Sequence, residues 1–296
     1  MFKNILKVML LLAIGAISFV SYAGGPDQWS SDGRPGQTAR VPKDHEFKVC
    51  ADPNNMPYSN DKQEGFENKI AEVLAKDLKK ELSFQFWPDR FGFIRNTIKA
   101  YRCDVIIGTN TTYDALNTTK PYYRAGHVWI YRKDSGYDIK DWNSPDLRKS
   151  IIGIVDKSPV SVSLHANDLM ANAKPYRLMR DLTKDPGQLV THVAEKEIDI
   201  AIMWGPIGGY FAKKSSVPME VVLIPEYSEG NEKLTGKTYW NISAGVRKKD
   251  DERRDMIEAA LIRNKDKIRK IMDDFGVPYT DPVFGDRLDG YKRHKN

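Results

Sequence analysis

Residues 103–108 read Cys103-Asp104-Val105-Ile106-Ile107-Gly108, and residues 198–202 read Ile198-Asp199-Ile200-Ala201-Ile202. Each is a short apolar run of buried-strand type introduced by an aspartate. Upstream of the first, Phe47-Lys48-Val49-Cys50-Ala51 reads as a strand that stops at Asp52-Pro53. Phe66, Ile70, Val73, Leu74 and Leu78 share one helical face, residues 82–87 alternate as a second strand, and Phe91, Ile94, Ile98 and Tyr101 mark another helix. This β-α-β-α-β order predicts a mainly parallel sheet covered by helices. The pattern then recurs. Ile151-Ile152-Gly153-Ile154-Val155 is a strand ending at Asp156, Ser158-Pro159 reads as a helix cap followed by a first-turn proline, and Asp185-Pro186 opens a helix through Leu189, Val193 and Ala194. Asp104 and Asp199 stand 95 residues apart, and Asp52 and Asp156 stand 104 apart. Two similar offsets predict two related α/β lobes.

His127-Val128-Trp129-Ile130-Tyr131-Arg132-Lys133 is an extended stretch between the lobes, and residues 240–247 form another. A last helix, lined by Ile257, Leu261, Ile268, Ile271, Met272 and Phe275, is stopped by Gly276 and Pro278. The chain therefore leaves lobe one, builds lobe two and returns. The expected division is residues 45–132 plus 241–296 for lobe one and 133–240 for lobe two. A cleft follows between them, and ligands of such sheets sit off the carboxyl ends of strands, here near Asp52, Gly108, Asp156 and Trp204.

The ends of the chain place it in a compartment. Lys3 and Lys7 flank an apolar run over residues 8–20, and Ser21-Tyr22-Ala23 carries small residues at the cleavage positions. This is the layout of a secretory signal peptide over residues 1–23, too short for a membrane anchor. The mature chain of about 273 residues is expected in the periplasm without a membrane span, and residues 24–44, rich in Gly, Pro, Ser and Asp, read as an irregular leader. The formal charge of +6, or +4 without Lys3 and Lys7, is weakly basic and interspersed with acids. Only Lys292-Arg293-His294-Lys295 is a basic cluster, and a solvated tail accounts for it. Export and this balance argue against nucleic acid as partner. The two cysteines, Cys50 and Cys103, pair in an oxidising compartment or stay as separate buried thiols. The five histidines lack metal-ligand spacing, and neither a phosphate-loop glycine motif nor Gly-x-Ser-x-Gly occurs, so no metal and no cofactor is expected.

The order of elements resembles the type II periplasmic solute-binding proteins, amino-acid-receptor branch, through Phe47-Lys48-Val49-Cys50-Ala51-Asp52-Pro53, Gly65-Phe66-Glu67, residues 103–108 and Lys120-Pro121-Tyr122-Tyr123. A closer resemblance is to the MxaJ/XoxJ family. It is carried by Asp52-Pro53-Asn54-Asn55-Met56-Pro57-Tyr58-Ser59-Asn60, Gly65-Phe66-Glu67-Asn68, Gly92-Phe93-Ile94-Arg95-Asn96-Thr97 and Pro121-Tyr122-Tyr123-Arg124, and it spans about residues 45–280. That family consists of periplasmic proteins encoded with the quinoprotein methanol dehydrogenases of methylotrophic bacteria. The resemblance implies a type II periplasmic binding protein fold of two α/β lobes joined by two crossover segments. It also implies a non-enzymatic role in methanol oxidation, with the dehydrogenase as partner and no quinone on this chain; the MxaJ branch is favoured.

Receptors of this fold clamp a zwitterion with an arginine after the third strand and an acid beyond a lobe-two strand. Here residues 109–116 contain no arginine, and Trp204 stands where the acid would be. A buried amino acid would leave both its charges unpaired, at a cost of several kcal/mol. The candidate cleft residues are Asp52, Asn54, Asn55, Tyr58, Asn110, Thr111, Tyr122, Tyr123, Asp156, Ser158 and Trp204, a neutral polar and aromatic set apart from the two aspartates. They suit a partner surface or, in the alternative, a small non-zwitterionic solute delivered to an ABC transporter. Turn formation explains Asn54 and Asn55 as well, and packing explains Tyr122 and Tyr123. Arg90, Arg95 and Arg124 read as surface ion-pair residues or contacts to an acidic partner. Lys157-Ser158-Pro159 reads as a plain cap more readily than an anion site. Asp52 and Asp156 form the one acid–base pair a lyase could use, without a nucleophile to support it.

Overall fold

The protein was analysed as a computed structural model that describes residues 42–89, 92–178, 183–226 and 237–284. The signal peptide, residues 24–41 of the leader, Arg90, Phe91 and the basic tail lie outside the described residues. No helix among the described residues is long and apolar enough to cross a membrane.

Lobe one opens with β1 (Glu46–Ala51), a two-strand hairpin of β2 (Asn54–Asn55) and β3 (Ser59–Asn60), helix α1 (Phe66–Asp77) and β4 (Glu81–Phe86). Helix α1 buries Phe66, Ile70, Ala71 and Leu74 on one face, as its periodicity requires. Strand β4 pairs with β1 in parallel, and a bridge from Val49 to Val105 carries the sheet on to β5 (Ile106–Asn110). Between them the helix expected through Phe91 to Tyr101 is a single turn, α2 (Phe93–Asn96). Gly92 enters it in the left-handed region at φ 73°, and the Thr97 hydroxyl donates to the Phe93 carbonyl at 2.6 Å, so a glycine backbone conformation closes one end and a side chain the other. Ile98 is buried nonetheless, while Tyr101 is 44% exposed. Cys50 of β1 and Cys103, three residues ahead of β5, form a disulfide with Cα atoms 5.4 Å apart.

After the short β6 (Asn117–Thr118), strand β7 (Tyr123–Arg132) joins the two lobes. Its residues 123–126 pair antiparallel with β12 (Tyr239–Val246), which itself pairs with β5. From His127 onward β7 pairs instead with β10 (Ile200–Trp204) on one side and β11 (Met219–Leu223) on the other. Lobe two also contains α3 (Pro145–Lys149), β8 (Ile152–Val155), α4 (Val160–Ala166), β9 (Ala173–Tyr176), α5 (Gln188–Ala194) and α6 (Gly205–Lys214). Strands β8, β9 and β10 run in parallel. The sheets are thus mixed where a mainly parallel sheet was expected, because both linking strands, β7 and β12, run against their neighbours. The chain returns through β12 and ends on α7 (Asp251–Arg263) and α8 (Lys265–Asp274). The single last helix read from the sequence is broken at Asn264, whose side chain donates to the Ala260 carbonyl at 2.9 Å. Gly276 stops α8 at φ 70°.

Each lobe has its own core. Phe47, Phe66, Leu74, Ile107, Ala244 and Met272 belong to that of lobe one. Trp129, Trp142, Ile152 and Leu164 lie on one face of the lobe-two sheet, and Val128, Leu189, Ala201 and Met203 on the other. The result is two α/β lobes joined by two extended segments.

Candidate functional site

The carboxyl ends of β1 and β5 open into a cavity of about 530 Å³. The turn after β1 is built by hydrogen bonds that Asp52 organises. Its Oδ1 accepts from the Asn54 amide at 2.8 Å, its Oδ2 accepts from the Asp89 amide at 2.6 Å, and its carbonyl accepts from the Ser59 hydroxyl at 2.6 Å. The hairpin then docks on the start of α1, where the amides of Phe66 and Glu67 donate to the carbonyls of Pro57 and Tyr58. Gly65 makes this approach possible, since a Cβ there would fall 2.1 Å from the Tyr58 oxygen. Asn68 accepts from the amides of Gly65 and Asn60, tying helix start and hairpin together.

This places Tyr58 and Glu67 in the wall of the cavity. Gly108 gives Glu67 its room, because a Cβ on Gly108 would sit 2.0 Å from the Glu67 Oε1. Burial raises the Glu67 pKa from 4.5 to about 8, with Asp89 adding to the rise. Burial, with Glu67 close by, pushes the Tyr58 phenol well above its ordinary value, so that it stays neutral. Tyr58 is also the meeting point of the lobes. The Trp204 indole, at the end of β10, donates from Nε1 to the Tyr58 hydroxyl at 2.5 Å. Trp204 is held in turn by edge-on contacts with His127 and Trp240, at ring distances of 5.4 and 5.5 Å.

The structure brings Asp52, Asn55, Tyr58, Asn110, Tyr123 and Trp204 of the expected set together around this cavity. Asn54 is exposed on the hairpin. Thr111 is buried, its hydroxyl engaged by Asn241 and Ser243 beneath the sheet. Tyr122 turns away, donating to the Ile107 carbonyl at 3.2 Å. Asp156 lies off the end of β8, outside the lining of the cavity. Ser158 makes no capping bond to α4; its hydroxyl is buried without a partner among the described residues and lines a second cavity. Neither lysine nor arginine is found among the described residues that line the first cavity. Arg124 is buried, and both its terminal nitrogens donate to Glu226, the Nη1 bond measuring 2.8 Å.

The sequence reading missed Glu67 and Asp89 as cavity residues, and Tyr113 and Phe93 with them. Two glycines carried the signal. Gly65 and Gly108 are positions where backbone or carboxylate must pass closer than a Cβ allows, and their site is the cavity wall.

The family described as bacterial extracellular solute-binding proteins, family 3, matches residues 47–277. The chain is 27% identical over 244 residues to protein MoxJ of Methylorubrum extorquens, covering 78% of this chain and 81% of that protein. The crystal structure of MxaJ from Methlophaga aminisulfidivorans MPT superimposes with a TM-score of 0.70 at 32% identity, over 79% of this chain and all of that one. Periplasmic binding protein XoxJ from Methylobacterium extorquens AM1 gives 0.65 at 33%, over 80% of this chain and all of that one.

Proposed function

The chain belongs to family 3 of the bacterial extracellular solute-binding proteins and to its MxaJ/XoxJ group, and from that membership we propose that it is a non-enzymatic periplasmic accessory of methanol oxidation. It acts by contact with a quinoprotein methanol dehydrogenase, helping that enzyme to mature, assemble or become active. The assignment to the MxaJ branch belongs to the same proposal. One observation carries the reading beyond kinship. Where an amino-acid receptor places charges for a zwitterion, this chain closes Trp204 onto Tyr58, indole to phenol, at 2.5 Å. A free amino acid would find no cationic side chain among the described lining residues for its carboxylate.

Deleting the gene tests the role. The expected result is dehydrogenase protein that accumulates without activity and regains it when the chain is supplied. Active dehydrogenase at its usual level in the deletion strain would end the proposal.

A solute receptor is the second reading. The volume of the cavity and the three carboxyl groups in its lining, Asp52, Glu67 and Asp89, favour a ligand without a carboxylate. Thermal-shift screening separates the readings, since a ligand at a hundred times its Kd stabilises by about 2.7 kcal/mol. A lyase built on Asp52 and Asp156 is disfavoured, because Asp52 is committed to two loop amides and Asp156 is outside the cavity lining.

A further inference from the structure

Lobe one has an apolar groove away from the cleft, between α7, α8 and the segment that follows them. Its volume is about 300 Å³, and it shares no described lining residue with the two cavities beside Trp204. Pro121, Leu261, Ile268 and Pro282 wall it, and Ile262 and Phe284, which also line it, are 66% and 61% exposed. A single apolar side chain at the surface is ordinary, but two on one apolar groove mark a surface built for contact. The chain itself brings an occupant to this place. The segment after α8 is fixed on β7 and β12. Arg124 and Thr280 exchange backbone bonds at 3.0 and 2.9 Å, and the Asn241 side chain donates to the Val283 carbonyl at 2.7 Å and accepts from the Val283 amide at 3.3 Å. Phe284, next in line, is thereby held at the groove, and residues 285–296, which lie outside the described residues, start from it. A stretch of that length reaches about 40 Å when extended, and a short tether keeps its side chains near the groove at about millimolar effective concentration.

The sequence of that stretch fits the groove. It begins Gly285-Asp286-Arg287-Leu288-Asp289-Gly290-Tyr291, and Leu288 and Tyr291 are its two large apolar side chains. Three cations line the groove. Lys120 is matched by Glu258 at 3.2 Å. Lys265 and Arg269 both turn to Asp281, so one acid answers two cations there. Asp286 and Asp289 flank Leu288, and seating Leu288 in the groove brings an acid to the charge left over. We propose that this groove is the seat of the chain's own C-terminal tail, with Leu288 as the buried anchor, Tyr291 beside it and the flanking aspartates against Lys265 and Arg269. The basic residues 292–295 then stay in solvent. The inference stands apart from the dehydrogenase role, and neither fails with the other.

A nitroxide attached through Lys292→Cys, read in the methyl spectrum of the isoleucine-labelled mature chain, tests it; the two native cysteines are paired and take no label. A tethered tail relaxes Ile262 to some extent even when free, so the reading is the change on releasing it. Leu288→Asp should cut the paramagnetic relaxation of the Ile262 methyl at least threefold, while Ile152 and Ile200 in the lobe-two core show none in either chain. Trypsin cleavage after Arg287 should be at least tenfold faster in Leu288→Asp than in the parent. Ile262→Arg, at an exposed position that folding tolerates, should speed the same cleavage. Relaxation at Ile262 that Leu288→Asp leaves unchanged, or cleavage equally fast in all three chains, would overturn the proposal. Relaxation passing from a spin-labelled chain to an isotope-labelled one mixed with it would give the groove to a second copy. An Ile262 signal indifferent to Leu288→Asp that shifts on adding methanol dehydrogenase would give it to that partner. Either result would overturn the proposal as well.

Discussion

A carboxyl group at Glu67 meets two costs on ionising: it leaves water, and it nears the charge of Asp89. Its pKa in the fold is about 8 against 4.5 unfolded. The folded state therefore holds a proton that the unfolded chain releases, and stability falls as pH rises from about 4.5 through about 8. His127 acts with the opposite sign. Its value of about 4 lies below the ordinary 6.5, so its contribution is lost as pH falls from about 6.5 to about 4. The two oppose each other on the acid side, and the alkaline arm isolates Glu67. Between pH 6.5 and 8.5 the melting temperature of the wild type should fall more steeply than that of Glu67→Gln. Parallel curves by scanning calorimetry would refute the assignment. Neither residue was legible as a site residue from the sequence. Their behaviour comes from what surrounds them in space, namely Tyr58, Asp89 and Gly108 for Glu67, and Trp204, Trp240 and Thr238 for His127.

Elements with a long apolar period were legible, and elements shaped by one or two residues were not. Strands β1, β8 and β10 and helix α1 are found where their patterns place them. Helix α2 stops after one turn because Gly92 and Thr97 close it, although Ile98 continues the apolar series. The break between α7 and α8 rests on the side chain of Asn264. Strands β9 and β11 pair at sheet edges over four or five residues without clear alternation. The disulfide links β1 to the start of β5 across a sequence separation of 53 residues. In the chain-entropy account that loop contributes about 4 kcal/mol. The double variant Cys50→Ala/Cys103→Ala should lose about that much in urea unfolding, and an unchanged midpoint and slope would contradict it.

At the scale of the whole molecule, the two-lobed plan was readable because the aspartate–strand pattern repeats, whereas the contacts that set the lobes against each other are singular. Arg124, read as a surface residue, is buried where β7 leaves lobe one, and Glu226, just past β11 in lobe two, pairs with it. Its guanidinium also stacks over Tyr239 at 5.0 Å. Glu226→Ala would strand a buried cation, so a loss of about 3 kcal/mol is expected in chemical unfolding; a loss below about 0.5 kcal/mol would show the pair to be idle. The Tyr58–Trp204 bond is one polar link between the lobes, alongside the Lys213 ammonium, which donates to the Asp273 and Asp274 carbonyls at 2.9 Å. Tyr58→Phe removes about 1 kcal/mol of closure, and small-angle scattering should report a larger radius of gyration; an unchanged radius would mean that other contacts hold the lobes.

The central claim is that this chain serves a protein partner and does not carry an amino acid. Native mass spectrometry of the mature chain mixed with the methanol dehydrogenase of the same organism and with the common amino acids tests both halves at once. The account predicts a complex of chain and dehydrogenase, with no amino acid riding on either form. A chain that stays single and carries a bound amino acid would contradict it.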